Sequence, residues 1–189
     1  RIEGCGLGLD IGDDENPRIQ FNYIHNITWY GIILNACPNT TFRNNFCDVQ
    51  LDQLSDCYFW ISGNNDDSVI DGNFIKNTLT SCIWFETGSK VSITNNVLEA
   101  VNSGSPAIKC STIDKSIISG NRIKGFLGDG IMLYTDADYN TIVGNVITDN
   151  GEYGVNIVNA NCNKNVVVGN VLMTNSAGPI DNHGTGTVY

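Results

Sequence analysis

The feature that most constrains the fold of this chain is an internal repeat of about 25 residues. One anchor of the repeat is the asparagine that closes each short apolar phrase, and its copies are Asn22, Asn45, Asn73, Asn96, Asn121, Asn145 and Asn170. A second anchor, the apolar residue that opens the other phrase, keeps the same spacing at Leu7, Ile32, Phe59, Ile83, Ile108, Ile131, Val155 and Ile180. Sequence periods of roughly 20–50 residues are typical of solenoids, in which each repeat packs on its two neighbours.

The pattern within each phrase indicates strands rather than helices. Apolar residues alternate with other residues, as in Ile131-x-Leu133 and Val155-x-Ile157, and a period of two is the strand period. Gly, Asn and Asp bound the phrases and predict turns. Three short strands and three turns fit one repeat, so we predict an all-β solenoid of about seven coils whose strands pair in parallel about 4.8 Å apart.

The recurring asparagine has a structural explanation. An asparagine in a tight turn tolerates a left-handed backbone and carries both a donor and an acceptor. When it stands at the same turn of every coil, its amide can bond to the amides or to the turn backbone of neighbouring coils. We therefore predict an asparagine ladder along the axis. Only the turn positions and the inward positions then need particular residue types, and the other positions of the repeat can vary.

The phrase "GN-x-I-x-x-N … GI-x-L", which extends over roughly residues 4–182, resembles the right-handed parallel β-helix repeats of pectate-lyase-like proteins. That superfamily includes polysaccharide lyases and hydrolases, mannuronan epimerases, NosD-type periplasmic proteins and phage tailspikes. The resemblance implies a right-handed parallel β-helix and, because one such fold carries many activities, it implies little about function. We expect one β-helix domain over residues 1–189, with residues 176–189 as a C-terminal cap or tail.

The chain begins inside a repeat and without Met. We therefore expect it to be a fragment or processed product of a longer protein. Because an uncovered edge strand can pair with another strand, we also expect its N-terminal edge to be covered by preceding coils or by another subunit. End-to-end or side-by-side self-association would provide such a cover.

The charge of the chain argues against two classes of partner. The formal net charge is −10, whereas nucleic acids and anionic membranes are bound through clustered Lys and Arg. No apolar stretch is long enough to span a bilayer. We expect no nucleic-acid partner and no membrane insertion, and an acidic polysaccharide would need a local basic groove or bridging cations.

The seven cysteines contain no Cys-x-x-Cys pair, so no zinc site is predicted. We interpret them as buried core thiols rather than a disulfide framework, since free Cys behaves as a small hydrophobe. Residues 13–16 and 136–140 are acidic turns that could hold Ca²⁺, but solvated turns explain them more simply. No other metal and no cofactor is predicted.

The residues between the inward positions must face outward, and they include an apolar stripe. Trp60 and Trp84 fall in one outward column on successive coils, and Trp29 and Tyr30 precede the strand of an earlier coil. That column reads Gly8, Ile33, Trp60, Trp84, Lys109, Met132 and Asn156, and the next reads Asp10, Asn35, Ser62, Glu86, Ser111, Tyr134 and Val158.

We predict that this stripe is a carbohydrate-binding platform whose flat rings stack on sugar rings. The candidate residues are Trp60, Trp84, Glu86, Lys109, Met132 and Tyr134. Two alternatives stay open. A loop or a neighbouring chain could cover the stripe, or a register slip of one residue could bury both tryptophans.

No complete catalytic set is recognisable in the sequence. A lyase or epimerase needs a base, and Lys109 beside Glu86 and Tyr134 is the candidate, with an ordinary surface lysine as the alternative. A glycosidase needs two carboxyl groups about 5–10 Å apart, whereas Asp10 and Glu86 lie three coils, or about 14 Å, apart.

Three short motifs resemble those of polygalacturonases, namely Asp66-Asp67, Arg122-Ile123-Lys124 and His183-Gly184. Their order along the chain is wrong for that family. The Arg-Ile-Lys motif also follows Asn121, which identifies it as the local copy of the repeat.

Three functions remain open on the sequence alone. The preferred one is an extracellular or virion-surface module that binds a carbohydrate polymer through the aromatic stripe. The first alternative is a carbohydrate-active enzyme domain, a polysaccharide lyase, epimerase or glycoside hydrolase. The second is a structural rod or filament unit without a ligand.

Overall fold

The computed structural model describes residues 1–4, 6–27, 30–48, 57–100 and 103–189, with the side chains of Cys57 and Tyr58 left out. It shows the predicted parallel β-helix: the described residues form 23 strands in three sheets, and every strand pairing is parallel. The chain passes from one sheet to the next and returns after one coil. Leu9 and Ile180 occupy equivalent positions in the first and last strands of one sheet, seven coils apart, and each coil contains roughly 24 residues.

Two sheets have eight strands and one has seven. Sheet A consists of β1 (Ile2–Glu3), β4 (Tyr23–His25), β7 (Phe46–Asp48), β10 (Phe74–Thr78), β13 (Val97–Ala100), β16 (Arg122–Lys124), β19 (Val146–Thr148) and β22 (Val171–Met173). Sheet B consists of β2 (Leu9–Gly12), β5 (Ile32–Asn35), β8 (Cys57–Ser62), β11 (Ser81–Ser89), β14 (Ile108–Asp114), β17 (Ile131–Leu133), β20 (Tyr153–Ile157) and β23 (Gly178–Asn182). Sheet C consists of β3 (Arg18–Gln20), β6 (Thr41–Arg43), β9 (Val69–Asp71), β12 (Ser92–Thr94), β15 (Ile117–Ser119), β18 (Thr141–Val143) and β21 (Val166–Val168).

The core is a stack of aliphatic and aromatic side chains inside the coils. In most strands of sheets A and C the central residue points inward. In sheet B the central residue of the strand points outward, and the residues on either side of it point inward. Ile24, Ile75, Ile93, Ile108 and Ile123 are all fully buried or nearly so. Burial of each such side chain stabilises the fold by roughly 1.5–3 kcal/mol.

The strand register confirms seven of the eight apolar anchors and corrects the first. Leu9, rather than Leu7, pairs with Ile32. The reason lies in the preceding turn, where a side chain on Gly8 would come within 2.3 Å of the Gly31 carbonyl oxygen. Gly8 is therefore a close-packed turn residue, and the two outward columns begin at Asp10 and Gly12 rather than at Gly8 and Asp10.

The asparagine ladder runs through all seven predicted positions. The main-chain N–H of each ladder asparagine donates to the side-chain oxygen of the next one along the axis, over distances of 2.9 to 3.0 Å from Asn22 to Asn170. The side-chain nitrogen donates to the same oxygen and, from Asn45 onward, also to a main-chain carbonyl of the preceding coil. Each amide therefore ties three coils together.

The left-handed residue of this turn is the one before the ladder asparagine, not the asparagine itself. Four coils place glycine there, with φ between +63° and +66°, at Gly72, Gly120, Gly144 and Gly169. Asn44, Asn95 and Phe21 take the same conformation in the other coils, with φ between 53° and 56°. Glycine adopts this conformation without steric cost, which explains the recurring Gly-Asn dipeptide.

The cysteines agree with the prediction where they are described. Cys37, Cys47, Cys82, Cys110 and Cys162 are fully buried, and Cys37, Cys82, Cys110 and Cys162 are free thiols. Cys5 and the side chain of Cys57 lie outside the described residues. No helix among the described residues is long and apolar enough to cross a membrane.

Candidate functional site

The predicted outward stripe lies on the outer face of sheet B, in one unbroken column. The register pairs each member with the next one along the axis. The column, here called the tryptophan column, reads Asp10, Ile33, Trp60, Trp84, Lys109, Met132, Asn156 and Asp181. A slip of one residue is thereby excluded, because Phe59 and Ile83, the neighbours of the two tryptophans, are the buried residues.

The aromatic members of the column contact one another directly. The ring centroids of Trp60 and Trp84 are 6.0 Å apart, with 24° between the ring planes. Tyr30, from the coil before, lies 5.4 Å from Trp60. Trp29 lies outside the described residues. Three aromatic rings from three successive coils thus form one stack along the axis.

Lys109 continues this stack on the next coil. Its ammonium nitrogen lies 4.4 Å from the centroid of the Trp84 ring and 5.8 Å from that of Tyr134. Such cation–π contacts are worth about 0.5–2 kcal/mol. The side chain of Lys109 is therefore held between two aromatic rings, at the centre of the predicted site.

The rings are oriented differently from what the sequence predicted. Trp60 has Tyr30 on one side along the axis and Trp84 on the other, and Trp84 lies between Trp60 and Lys109. The ring faces therefore contact neighbours in the stack. Tyr134 is the most open of these aromatic residues, at 44% exposed, whereas Trp60 and Trp84 are half-buried.

Both indole N–H groups lack a hydrogen-bond acceptor among the described residues. The Nε1 atoms of Trp60 and Trp84 are shielded from solvent and form no hydrogen bond. An unsatisfied buried donor costs about 1–3 kcal/mol. Two such donors side by side are unusual in a protein interior.

The remaining candidate residues surround the stack. Met132 follows Lys109 in the tryptophan column, and Glu86 lies two residues after Trp84 on β11. Both side chains are half-buried. Glu86 forms no ion pair with Lys109 or with any other described residue. The face therefore presents one cation, one carboxylate and several apolar groups within three adjacent coils.

The far end of sheet B contains a buried carboxylate that the sequence did not reveal. Asp129 is fully buried. Its two oxygens accept hydrogen bonds from the main-chain N–H of Tyr153 at 2.9 Å and from the side-chain amide of Asn156 at 3.0 Å. Burial raises the pKa of Asp129 above its ordinary value of 3.8, and the two hydrogen bonds oppose this shift.

A second aromatic stack, also missed from the sequence, lies on the outer face of sheet A. Tyr23 and Phe46 stack at 5.1 Å, and Phe46 and Phe74 stack at 5.3 Å, with nearly parallel planes. Each ring belongs to the residue directly after a ladder asparagine. This position directly after the ladder asparagine is the sequence signal that identifies them.

The described residues contain no group of three or more His, Cys, Asp or Glu side chains that could hold a metal ion. Neither acidic turn, at residues 13–16 or at residues 136–140, forms such a group. His25 pairs with Glu3 and His183 with Asp181, at opposite ends of the chain. The Arg122-Ile123-Lys124 motif is strand β16, the local copy of the repeat, as predicted.

Two family models match the chain. One, described as periplasmic copper-binding protein (NosD), matches residues 62–189. The other, described as right handed beta helix region, matches residues 1–113. No curated protein matches the chain. Each family match covers more than half of the chain, and together they span its whole length.

Proposed function

The chain belongs to the right-handed β-helix and NosD families, and we propose that it works outside the cytosol and binds a carbohydrate polymer on the outer face of sheet B. The family description names a periplasmic protein, which supports a location beyond the cytoplasmic membrane. More specifically, we propose that the protein lies at a cell surface, outside the cell or on the surface of a virion.

The observation that carries the proposal is the continuous row from Tyr30 through Trp60, Trp84 and Lys109 to Tyr134. The row runs along the solenoid axis, so its length suits an extended ligand better than a compact one. Contiguous apolar surface with a few polar groups is characteristic of binding faces.

The chemistry of the row suits sugars. Trp and Tyr combine an apolar body with a polar atom, and a sugar combines apolar C–H groups with hydroxyls. The two unsatisfied indole donors could bond to hydroxyl oxygens after a small displacement of the rings. Lys109 would donate to hydroxyls and Glu86 would accept from them. In this arrangement the sugar rings contact ring edges and Tyr134 rather than the stacked faces.

Copper does not fit the described residues of this chain. The family description names a copper-binding protein, and copper sites in proteins use imidazole, thiolate or thioether ligands. Here the two histidines are far apart, the two methionines lie on different sheets, and the five described thiols are buried in the core. We therefore derive no role for copper from this structure.

The proposal is tested by a glycan array followed by affinity measurements on any glycan that binds. Trp84→Ala should weaken binding roughly tenfold or more, because aromatic residues at the centre of a binding face contribute most of its energy. Tyr23→Ala removes an aromatic ring from the outer face of sheet A and is the matched control, which should bind like the wild type.

Two outcomes would contradict carbohydrate binding on this face. If no glycan binds, the structural-rod alternative is favoured. If Trp84→Ala and Tyr23→Ala bind equally, the ligand occupies another surface. Release of reducing ends or unsaturated products from a bound glycan would favour the enzyme alternative, with Lys109 as the first residue to replace.

A further inference from the structure

A cleft of about 250 Å³ opens on the outer face of sheet A, away from the tryptophan column. It extends across three successive coils, beside strands β10, β13 and β16. Its lining consists of Lys76, Asn77, Glu99, Ala100, Arg122, Lys124 and Gly125. The chain has only ten Lys and Arg residues and a net charge of −10, yet three of those ten line this one cleft.

Lys76, at one side of the cleft, is held by an ion pair. Its ammonium group lies 2.8 Å from a carboxylate oxygen of Asp48, whose other oxygen accepts a hydrogen bond from the Asn77 side chain, also at 2.8 Å. The hydrogen bond to Asp48 raises the pKa of Lys76. Lys76 is therefore charged, and its position is fixed.

Lys124, at the other side, is held in a similar way. Its ammonium group lies 3.3 Å from Asp149, whose other carboxylate oxygen accepts a hydrogen bond from the Thr174 hydroxyl at 2.6 Å. This hydrogen bond and the neighbouring Lys124 lower the pKa of Asp149. Each side of the cleft is thus formed by an ion pair between a lysine and an aspartate, and each aspartate also accepts a hydrogen bond from another side chain.

Glu99 and Arg122, between these sides, differ from the lysines. Neither forms an ion pair with any described residue. The register places Glu99 between Lys76 and Lys124, and places Arg122 two residues before Lys124 on β16. Glu99 therefore lies between two lysines that are each already paired with another carboxylate, whereas the exposed guanidinium of Arg122 has no carboxylate partner among the described residues.

We propose that this cleft binds a small hydroxylated carboxylate, with Arg122 on the carboxylate and Glu99 and Asn77 on the hydroxyls. The planar guanidinium matches a carboxylate through two parallel hydrogen bonds. A carboxylate such as Glu99 accepts hydrogen bonds from hydroxyls and repels a second anionic group, so the ligand has one charge rather than several.

The size of the cleft limits the ligand further. Pockets for drug-sized molecules hold about 300–1,000 Å³, so this cleft suits one sugar acid or one acidic residue within a chain. It lies on sheet A, and the inference does not rest on carbohydrate binding by sheet B.

The test is calorimetric titration of the full chain with D-gluconate, D-glucose and inorganic phosphate at low ionic strength. Gluconate should bind, and glucose and phosphate should bind at least roughly tenfold more weakly. Arg122→Gln should weaken gluconate binding roughly tenfold to a hundredfold, because it removes a charge-assisted hydrogen-bond pair. Glu99→Gln keeps a hydroxyl acceptor but removes the charge that repels a second anionic group, so this variant should bind phosphate more nearly as tightly as gluconate.

Arg18→Gln is the matched control, since Arg18 is also the exposed first residue of a strand, on sheet C. It should bind gluconate like the wild type, and so should Trp84→Ala. A carboxylated oligosaccharide that binds more tightly than gluconate, and in an Arg122-dependent manner, assigns the ligand to a residue within a chain. Equal affinities assign it to a free acid.

Three results would overturn the proposal. They are absence of gluconate binding, unchanged binding by a folded Arg122→Gln protein, and phosphate binding as tight as gluconate binding. The last would indicate only general attraction of anions. Glu99→Gln keeps the test decisive if Arg122→Gln fails to fold, because an unchanged preference of that protein for gluconate over phosphate would equally overturn it.

Discussion

The main-chain nitrogen and the side-chain nitrogen of Asn121 both lie 2.9 Å from the side-chain oxygen of Asn145 on the next coil. Asn145 repeats the arrangement with Asn170, and its side-chain nitrogen also donates to the carbonyl of Ile118. One amide therefore satisfies donors and acceptors from three coils in a turn that is closed to water.

Replacement of Asn145 by Ala should lower the free energy of unfolding by roughly 1–3 kcal/mol, because it leaves buried turn groups without partners. Chemical denaturation of both proteins would measure the difference. Asn161→Ala, at an exposed turn position, is the control and should have little effect. Equal stability of Asn145→Ala and wild type would contradict the structural role of the ladder.

Replacement of Phe21 by Asn should stabilise the protein. Phe21 occupies the left-handed turn position with φ of 56° and is 77% exposed, so it has strain and little packing to lose. A left-handed conformation costs a non-glycine residue roughly 1–2 kcal/mol, and asparagine tolerates it better. The expected gain is about 0.5–1 kcal/mol in the free energy of unfolding, whereas Phe21→Ala retains the strain and should gain less. A loss of stability in Phe21→Asn would refute the explanation.

The thiols of Cys82 and Cys110 should resist alkylation in the folded protein. Burial raises the pKa of Cys82 to about 12 and that of Cys110 further still, and the thiolate is the reactive form. After iodoacetamide treatment near pH 8, peptide mass mapping should find both residues unmodified in the native protein and modified in denaturant. Rapid modification of either residue under native conditions would show that the core is open there.

Asp129→Asn should change how stability depends on pH. Burial raises the pKa of Asp129. The contribution of its carboxyl group to stability is therefore complete below the ordinary pKa of 3.8 and is lost as pH rises through the higher pKa of the folded state. The asparagine variant has no such loss and keeps an oxygen for the Tyr153 N–H. Its Tm relative to wild type should therefore rise as pH increases above 3.8, and a difference independent of pH would contradict this assignment.

The repeat made the fold and the ladder predictable, because inward and turn positions are under the same steric demands in every coil. The prediction failed at Leu7, where an apolar residue with nearly the right spacing precedes Gly8. Close packing of Gly8 on Gly31 shifts the register to Leu9, and spacing alone contains no information about backbone approach.

The candidate site was predictable only in part. The alternation of strand residues places Trp60, Trp84 and Lys109 in one column, and the structure has them there. It does not determine side-chain rotation, so the stacking of the two indoles on each other was missed. The cleft around Arg122 was missed as well, because its charged residues looked like ordinary copies of the repeat until the register brought Lys76, Glu99 and Lys124 side by side.

The proposal that the outer face of sheet B binds carbohydrate is tested most directly by NMR mapping of a bound glycan. The indole N–H signals of Trp60 and Trp84, assigned with single Trp→Phe variants, report on the two donors that lack an acceptor among the described residues. We predict that saturation with the glycan shifts both indole signals and the amides around Lys109, and leaves Tyr23 and Phe46 on sheet A unchanged. Unchanged indole signals at saturation, or shifts confined to sheets A and C, would contradict it.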